Sequence, residues 1–373
     1  MEGPRGTKRE EFEGVINLVN LVFRPESKSM QKEYPTLFNE DNLENLRIII
    51  EDGKIVSHIG TLERDISIYN CNLKVGLIGA VCTHPDYRKR GYATLLLNDC
   101  IDRFEKHGCD FMLVSGALRI YDSIDCLLIG EVYRVEIREK DLWIFEKDEE
   151  ISIENCPEKY CKEMESSYNQ KLVKFIRRKE DWENAIRNKF VMNAPCEFLI
   201  LKEKREYKGY LIVRFYEDKK MFEVREYAGE KEIIKKSIPH IFKKYKLTGI
   251  SFPIPCEDKD FACYFQDRGV STYIYPISGT VRVLNFKRMM EKMRPYFREK
   301  IGEEADKMKF EEIDGKYIIS LDNEKFIMEN RRHMTWTVLS RPGKYQIKSK
   351  NKLSQYIKEI LPIPFVWYGI NYI

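Results

Sequence analysis

The stretch THPDYRKRGYAT, Thr83 to Thr94, brings together residue types that suit an anion. The apolar run VGLIGAVC precedes it and the leucine-rich LLLNDCIDRF follows, so a strand hands over to a helix across it. Gly91 sits at the handover, where the lack of a side chain permits close backbone approach, and Ala93 keeps the next side chain small. The first N–H groups of a helix have no internal partner and point outward, where a phosphate can meet them. Arg88, Lys89 and Arg90 add positive charge beside them. A pyrophosphate read mainly by backbone amides is the chemistry this arrangement suits. An ordinary strand-to-helix turn with a solvated basic face uses the same residues and stays open at this point.

Other chemistries are excluded more firmly. The chain has no GxxxxGK[ST], and GLIGAV lies inside the strand rather than after it, so it is not a dinucleotide fingerprint. Ten cysteines are scattered without CxxC spacing. The closest pair, Cys156 and Cys161, has no clustered partners, and the five histidines show no ligand spacing, so no metal is expected. The cysteines read as reduced core residues of a cytoplasmic protein.

The surrounding elements must position the turn. Phe12, Val15, Ile16, Val19 and Val22 form a helical stripe, and Asp52-Gly53 marks a hairpin in LRIIIEDGKIVSHIG. Leu73 to Thr83 reads as a strand ended by Pro85. Gly91 to Phe104 reads as an amphipathic helix with Leu95, Leu96, Ile101 and Phe104 inward, closed by Lys106, His107 and Gly108. Cys109 to Gly116 is a further strand, and Leu127 to Ile137 begins another extended element. This alternation is an α/β layer architecture.

A charged break follows at Glu146 to Tyr160. Beyond it come a helix over YNQKLVKFIRRKEDWENAIRN, strands in CEFLILKEK, GYLIVRF and MFEVREYAG, a helix in EIIKKSIPHIFKKYK, and TGISFPIP. Asp181-Trp182 marks a helix start. From Val281 the pattern gives a helix in LNFKRMMEKMRPYFREK, strands in GKYIISLDNEKFIMEN and TWTVLS, and a helix followed by an apolar tail.

The bulk numbers bound the class. The 373 residues exceed what one core usually serves, which points to two or three domains. The composition, 43% hydrophobic and 33% charged, is globular. A net charge of +4, from 64 basic against 60 acidic residues, names no particular partner. The N-terminus lacks the apolar core of a signal peptide, and no run is long enough to span a bilayer, so no membrane association is expected.

VCTHPDYRKRGYATLLL resembles the acyl-CoA motif of GCN5-related N-acetyltransferases: Arg or Gln, two residues, Gly, one residue, Gly or Ala. Arg88, Gly91 and Ala93 fill those places. The resemblance implies that the amides of Lys89, Arg90, Gly91, Tyr92, Ala93 and Thr94 hold the pyrophosphate of acetyl-CoA. It also implies that the strand segment Val81, Cys82 and Thr83 splays from its neighbour, with Val81 and Thr83 bonding the pantetheine arm. Gly116 and Ala117 match cofactor-contacting positions.

A full unit of this kind, a second without the motif, and a C-terminal domain together resemble the enhanced intracellular survival group, whose last domain is like sterol carrier proteins. RVLNFKRMMEKM and LPIPFVWYGINYI also resemble that group. The expected architecture is mixed α/β: a catalytic domain over 1–150, a second GNAT-like domain over 151–280, and a sterol-carrier-like α+β domain over 281–373. The resembling group forms homo-oligomers, often hexamers.

Acetyl transfer to an amine needs a deprotonated nucleophile, a polarised thioester carbonyl, and a proton for the leaving thiolate. Tyr121, shortly after Gly116, falls where the group has its acid. The resemblance makes the α-carboxylate of Ile373 the base, at the end of the aromatic tail FVWYGINYI. The sequence departs from the group directly after Tyr121, where SIDCLLIG with Asp125 and Cys126 replaces a Gly-aromatic pair. Cys82, facing opposite to Val81 and Thr83, is a poor nucleophile.

The leading reading is therefore an N-acetyltransferase acting by direct attack of a primary amine, on an aminoglycoside-like polycation or a lysine side chain. The alternative is a non-catalytic acyl-CoA-binding or scaffold protein that keeps the turn without the chemistry. Nucleic-acid binding through RKRG and FIRRKE would need one continuous basic face with exposed aromatics and is not expected.

Overall fold

The computed structural model describes residues 1–146, 148–340, 347, 350–364 and 369–373. These form two compact units. The first holds Met1–Gly130, the described residues of Ile277–Pro364, and Ile373; the second holds the described residues of Glu131–Pro276 together with 369–372.

In the first unit the chain runs through β1 (Glu2–Gly6), α1 (Phe12–Phe23), β2 (Leu46–Glu51), β3 (Lys54–Ile68), β4 (Cys71–Thr83), α2 (Tyr92–Lys106), β5 (Phe111–Val114) and the short α3 (Arg119–Asp122). The sheet order is β1-β2-β3-β4-β5, continued by the strand Thr280–Val283. Asp52 and Gly53, with φ of 51° and 72°, make the left-handed pair that a tight hairpin between β2 and β3 requires. β3 and β4 are antiparallel, whereas β4 and β5 are parallel, which obliges α2 to cross over between them.

α1 buries Val15, Leu18 and Val19. α2 buries Tyr92, Leu96, Leu97, Cys100, Ile101 and Phe104, a stripe at three- and four-residue spacing. Leu95, expected inward, lies one step off that stripe and is 41% exposed.

The later segment of this unit attaches through a buried charge. Asp110 is fully buried, and its carboxylate accepts from Arg288 Nε at 2.8 Å, Lys292 Nζ at 2.8 Å and the Lys74 N–H at 2.8 Å. The helix expected across LNFKRMMEKMRPYFREK is two helices, Phe286–Lys292 and Arg294–Ile301, with Pro295 in the first turn of the second. An antiparallel sheet of Lys309–Ile313, Lys316–Leu321 and Glu324–Met328 follows. The expected strand TWTVLS is instead the end of the helix Arg331–Leu339. The Asn330 side chain caps that helix by accepting the His333 N–H, and local capping outweighs the β-branched residues.

The second unit carries its own sheet, in the order 271–275, 132–138, 249–255, 221–229, 206–216, 197–203, 151–154. Val132–Arg138, which the sequence reading placed in the first 150 residues, belongs to this sheet. The strands Glu197–Glu203, Glu206–Tyr216 and Met221–Gly229 form an antiparallel meander. The helix Lys231–Tyr245 then crosses to Gly249–Pro255, which runs parallel to Met221–Gly229.

The single helix expected over 168–188 is broken. Cys161–Asn169 is helical, Val173–Phe175 is extended, and Lys179–Asn188 is a second helix. Asp181 starts that helix by accepting the Arg178 N–H at 3.0 Å, and Trp182 is buried edge-on against Tyr168 and Tyr210.

Arg177 of FIRRKE offers no surface charge. Its side chain is 1% exposed and clamps Glu226 with bonds of 2.7 and 2.5 Å. Burial opposes the charge of Glu226, but Arg177 and the Tyr210 hydroxyl hold its carboxyl below the usual range. The same pair anchors the tail: Arg177 Nε donates to Asn371 Oδ1 at 2.7 Å, and the Ile370 N–H donates to Glu226 at 3.0 Å. Phe365 to Tyr368, the aromatic part of FVWYGINYI, lies outside the described residues.

Asp110→Ala strands a buried N–H and two cations. It is expected to destabilise the protein by about 2–4 kcal/mol, read as a lower urea midpoint, with Asp110→Asn intermediate. An unchanged midpoint would contradict the structural role of this carboxylate.

Candidate active site

β4 and β5 pair in register from Val75↔Phe111 to Ile78↔Val114, and the Ser115 N–H then donates to Ile78 O at 2.9 Å. Past that point Ala80 adopts a φ of 50° and Gly116 a φ of 87°, and the two strands part. The outer end of β4 stays on β3, with His58 opposite Cys82 and Ser57 opposite Thr83. The His84 N–H donates to Val56 O of β3 at 2.8 Å. Since strand residues alternate the side of their backbone groups, Val81 and Thr83 present theirs away from β3, towards the wedge. Cys82 is buried, and burial pushes its thiol up to about 12, so it is no thiolate at neutral pH.

Next comes the turn. His84 accepts the Asp86 N–H at 3.3 Å at the head of the short turn Pro85–Tyr87, and Arg88 Nε returns to Thr83 O at 3.3 Å. Lys89 and Gly91, with φ of 62° and 82°, are left-handed, a conformation that curls successive N–H groups towards one centre. The first bond of the α2 ladder is Leu95 N–H to Gly91 O, 3.1 Å. The N–H groups of Tyr92, Ala93 and Thr94 therefore precede the ladder, and the cap residue Gly91 has no side chain to cover them.

Arg90 lies 3.3 Å from Glu51 and 4.8 Å from the centre of the Tyr87 ring, and the Tyr92 hydroxyl also donates to Glu51. Two of the motif's polar side chains are thus held at the end of β2, while Arg88, Lys89, Gly91 and Thr94 are exposed. Glu51 had no distinguishing signal in the sequence beyond its place before the hairpin turn.

On the face of β4 opposite α2, Gly79 pairs with Gly60 of β3. The absent side chains leave a shallow floor. A Cβ on Gly60 would press into Leu37; one on Gly79 would lie 2.7 Å from the main-chain carbonyl carbon of Ile373 and 2.8 Å from its oxygen. Ile373 is buried there.

His58, unmarked in the sequence reading, lies on the same face and is fully buried. Burial pushes its imidazole down to about 4, so it is neutral, and its Nδ1–H donates to Ala80 O at 3.1 Å. That bond clamps the left-handed step in β4. Only the β3–β4 register reveals it, which is why no local pattern could.

Gly116 and Ala117, just past β5, are exposed. Tyr121 in α3 is 2% exposed and belongs to the apolar cluster that contains Ile78 and Val114, the last paired residues. The departing loop closes back on it: the Cys126 N–H donates to Tyr121 O at 3.0 Å, with Asp125 left-handed at a φ of 56°. Tyr121 thus shares a cluster with the last paired residues and the buried face of α2, and Ile373 lies against Gly79, one residue past Ile78, on the opposite face of β4. Among the described residues no group of three or more His, Cys, Asp or Glu could hold a metal.

A Cβ on Gly91 would meet nothing within 4 Å, so Gly91→Ala tests the backbone alone. Forcing a left-handed alanine costs about 1–2 kcal/mol. The variant is expected to fold and to bind CoA about tenfold more weakly by titration calorimetry. Unaltered CoA affinity would remove the turn from the site.

Residues 4–128 match the family model described as an acetyltransferase (GNAT) domain. No curated protein sequence matches the chain. Several solved structures share its fold. A conserved protein from Enterococcus faecalis V583, described as a probable N-acyltransferase, is 12% identical with a TM-score of 0.67 and full-length coverage, 99% of each chain. A GCN5-related N-acetyltransferase from Anabaena variabilis ATCC 29413 is also 12% identical, with a TM-score of 0.65 and 99% of each chain covered. Eis1 from Mycobacterium abscessus is 11% identical, with a TM-score of 0.63 over 96% of this chain and 97% of that one. The wedge, its glycine turn and the crossover helix thus lie within the residues that match the acetyltransferase (GNAT) domain model, and the chain shares the mixed α/β fold of those solved structures.

Proposed function

We propose that this protein transfers the acetyl group of acetyl-CoA to a primary amine by direct attack on the thioester. The amides from Lys89 to Thr94 receive the pyrophosphate, and the outward backbone of Val81 and Thr83 receives the pantetheine arm, with Gly116 and Ala117 across the wedge. Tyr121 protonates the departing thiolate, and the α-carboxylate of Ile373 takes the proton of the attacking amine. The thioester C–S bond breaks as the C–N bond forms, so no enzyme-bound acyl group is needed. The observation that carries this reading is the position of the Ile373 carbonyl on Gly79, one residue past the last β4–β5 pair.

The acceptor proposed is an aminoglycoside-like polycation or a lysine side chain. The wider architecture proposed is two tandem GNAT-like domains and a sterol-carrier-like domain, as in the Eis-like group, with the first boundary near 130 rather than 150. Its support is the repeated order in the second unit: antiparallel meander, crossover helix, parallel strand. A homo-oligomer, a hexamer as in that group, belongs to the same reading, as does a cytoplasmic setting, which agrees with ten unpaired cysteines. The burial of Tyr121 favours a second reading, a non-catalytic acyl-CoA-binding protein.

A thiol-release assay with acetyl-CoA against aminoglycosides, polyamines and lysine peptides separates the two. Turnover with at least one amine is expected; CoA binding without turnover would favour the second reading. Tyr121→Phe is expected to lower kcat by about 10²–10⁴-fold with acetyl-CoA affinity intact. Extending the chain beyond Ile373 by a short tag is expected to reduce kcat strongly while CoA still binds, and an unchanged kcat/KM would sink the proposed base.

A further inference from the structure

The second unit also contains a parallel pair that parts, and its wedge is furnished differently. Met221–Gly229 and Gly249–Pro255 pair only from Met221↔Gly249 to Glu223↔Ser251. Pro253 and Pro255, further along, bring no N–H to either neighbour. Beyond the last pair, Arg225, Glu226 and Tyr227 on one strand and Pro253 and Pro255 on the other line a void of about 20 Å³, room for roughly one water. Lys171, Tyr227 and Glu257 border this void and also an outer cavity of about 260 Å³, so they form the neck between the two.

The charges around this neck cancel, with two exceptions. Glu226 is clamped by Arg177, and Arg225 lies 3.3 Å from Glu223. Asp258 accepts from the Tyr227 hydroxyl at 2.6 Å and is paired with Lys231. Lys171 and Glu257 remain. Among the described residues no carboxylate lies within salt-bridge distance of the Lys171 ammonium, which sits 4.3 Å from the centre of the Tyr227 ring. Among the described residues Glu257 has no cation at that distance either; its carboxyl is held by its own backbone N–H and a long contact of 3.8 Å from the Cys256 thiol.

Burial holds the Glu257 carboxyl up to about 7, against the opposing pull of Lys171 and with a smaller push from Asp258. Below that pH the carboxyl is a neutral O–H donor, and the cleft carries one uncompensated positive charge. A single negative charge balances it, and a carboxylate offers one oxygen to each donor. Leu172 and the Tyr227 ring supply an apolar wall for a short carbon chain.

We propose that this cleft binds a small organic monocarboxylate, its two oxygens held between the Lys171 ammonium and the Glu257 carboxyl. The site is separate from the acyl-donor turn and does not depend on the acetyl-transfer reading. Its pH dependence follows from Glu257 in the company of Lys171, Lys231, Asp258, Tyr227 and Cys256. Once Glu257 ionises it repels the ligand, so affinity falls as pH rises through about 7.

Titration calorimetry of the full chain with butyrate at pH 6 and pH 8 tests this, with butylamine and inorganic phosphate as controls. Butyrate is expected to bind about tenfold more tightly at pH 6, the ratio set by one group titrating near the midpoint. Lys171→Met is expected to abolish binding, and Glu257→Gln to retain it with the pH dependence flattened. Should Lys171→Met fail to fold, the flattening in Glu257→Gln still decides. Preference for butylamine or phosphate, affinity independent of pH, no binding at all, or full binding by folded Lys171→Met would each overturn the proposal.

Discussion

β4 and β5 share hydrogen bonds only as far as Ile78 and Val114, because Ala80 in one strand and Gly116 beyond the other both turn left-handed. Unpaired strand backbone inside a folded unit needs a partner, and a ligand with amides of its own can supply one. α2 crosses between the strands and so places its open N-terminus at one end of the gap; the Gly60–Gly79 floor brings Ile373 to the other. His58, kept neutral by burial, fixes the left-handed step that starts the parting.

How much of this could be read from the sequence depended on range. The turn from Arg88 to Thr94 was legible because strand, glycine and helix are adjacent in the chain. The same holds for the Asp52-Gly53 hairpin and the Asp181-Trp182 helix start. The errors arose where a neighbour in sequence was not the neighbour in space. TWTVLS has strand-forming residues, but the Asn330 cap, five residues before Thr335, commits the segment to helix. The stretch from 168 to 188 has helical spacing, yet the Arg177–Glu226 clamp and the Asp181 cap break it. His58, Glu51 and Gly79 acquire meaning only through strand register, which no single-sequence pattern specifies.

The two wedges show one topology carrying two chemistries, as expected when function lies in side chains grafted onto a shared scaffold. In the first unit the proposed recognising groups are amides, and Arg90 and Tyr92 are tied to Glu51. In the second, prolines replace amides and a lysine and a glutamic acid face the cavity. In the first unit burial pushes the Cys82, Cys109 and Cys126 thiols up to about 12, in keeping with the proposed attack that needs no covalent intermediate.

Hydrogen exchange with and without acetyl-CoA addresses the wedge most directly. Exchange should slow in peptides spanning 79–83 and 88–94, where the parted strand and the turn meet the ligand, and stay unchanged across 221–229 and 249–255. Protection absent from 79–83 and 88–94, or equal in the second unit's parallel pair, would contradict the placement of the acyl donor between β4 and β5.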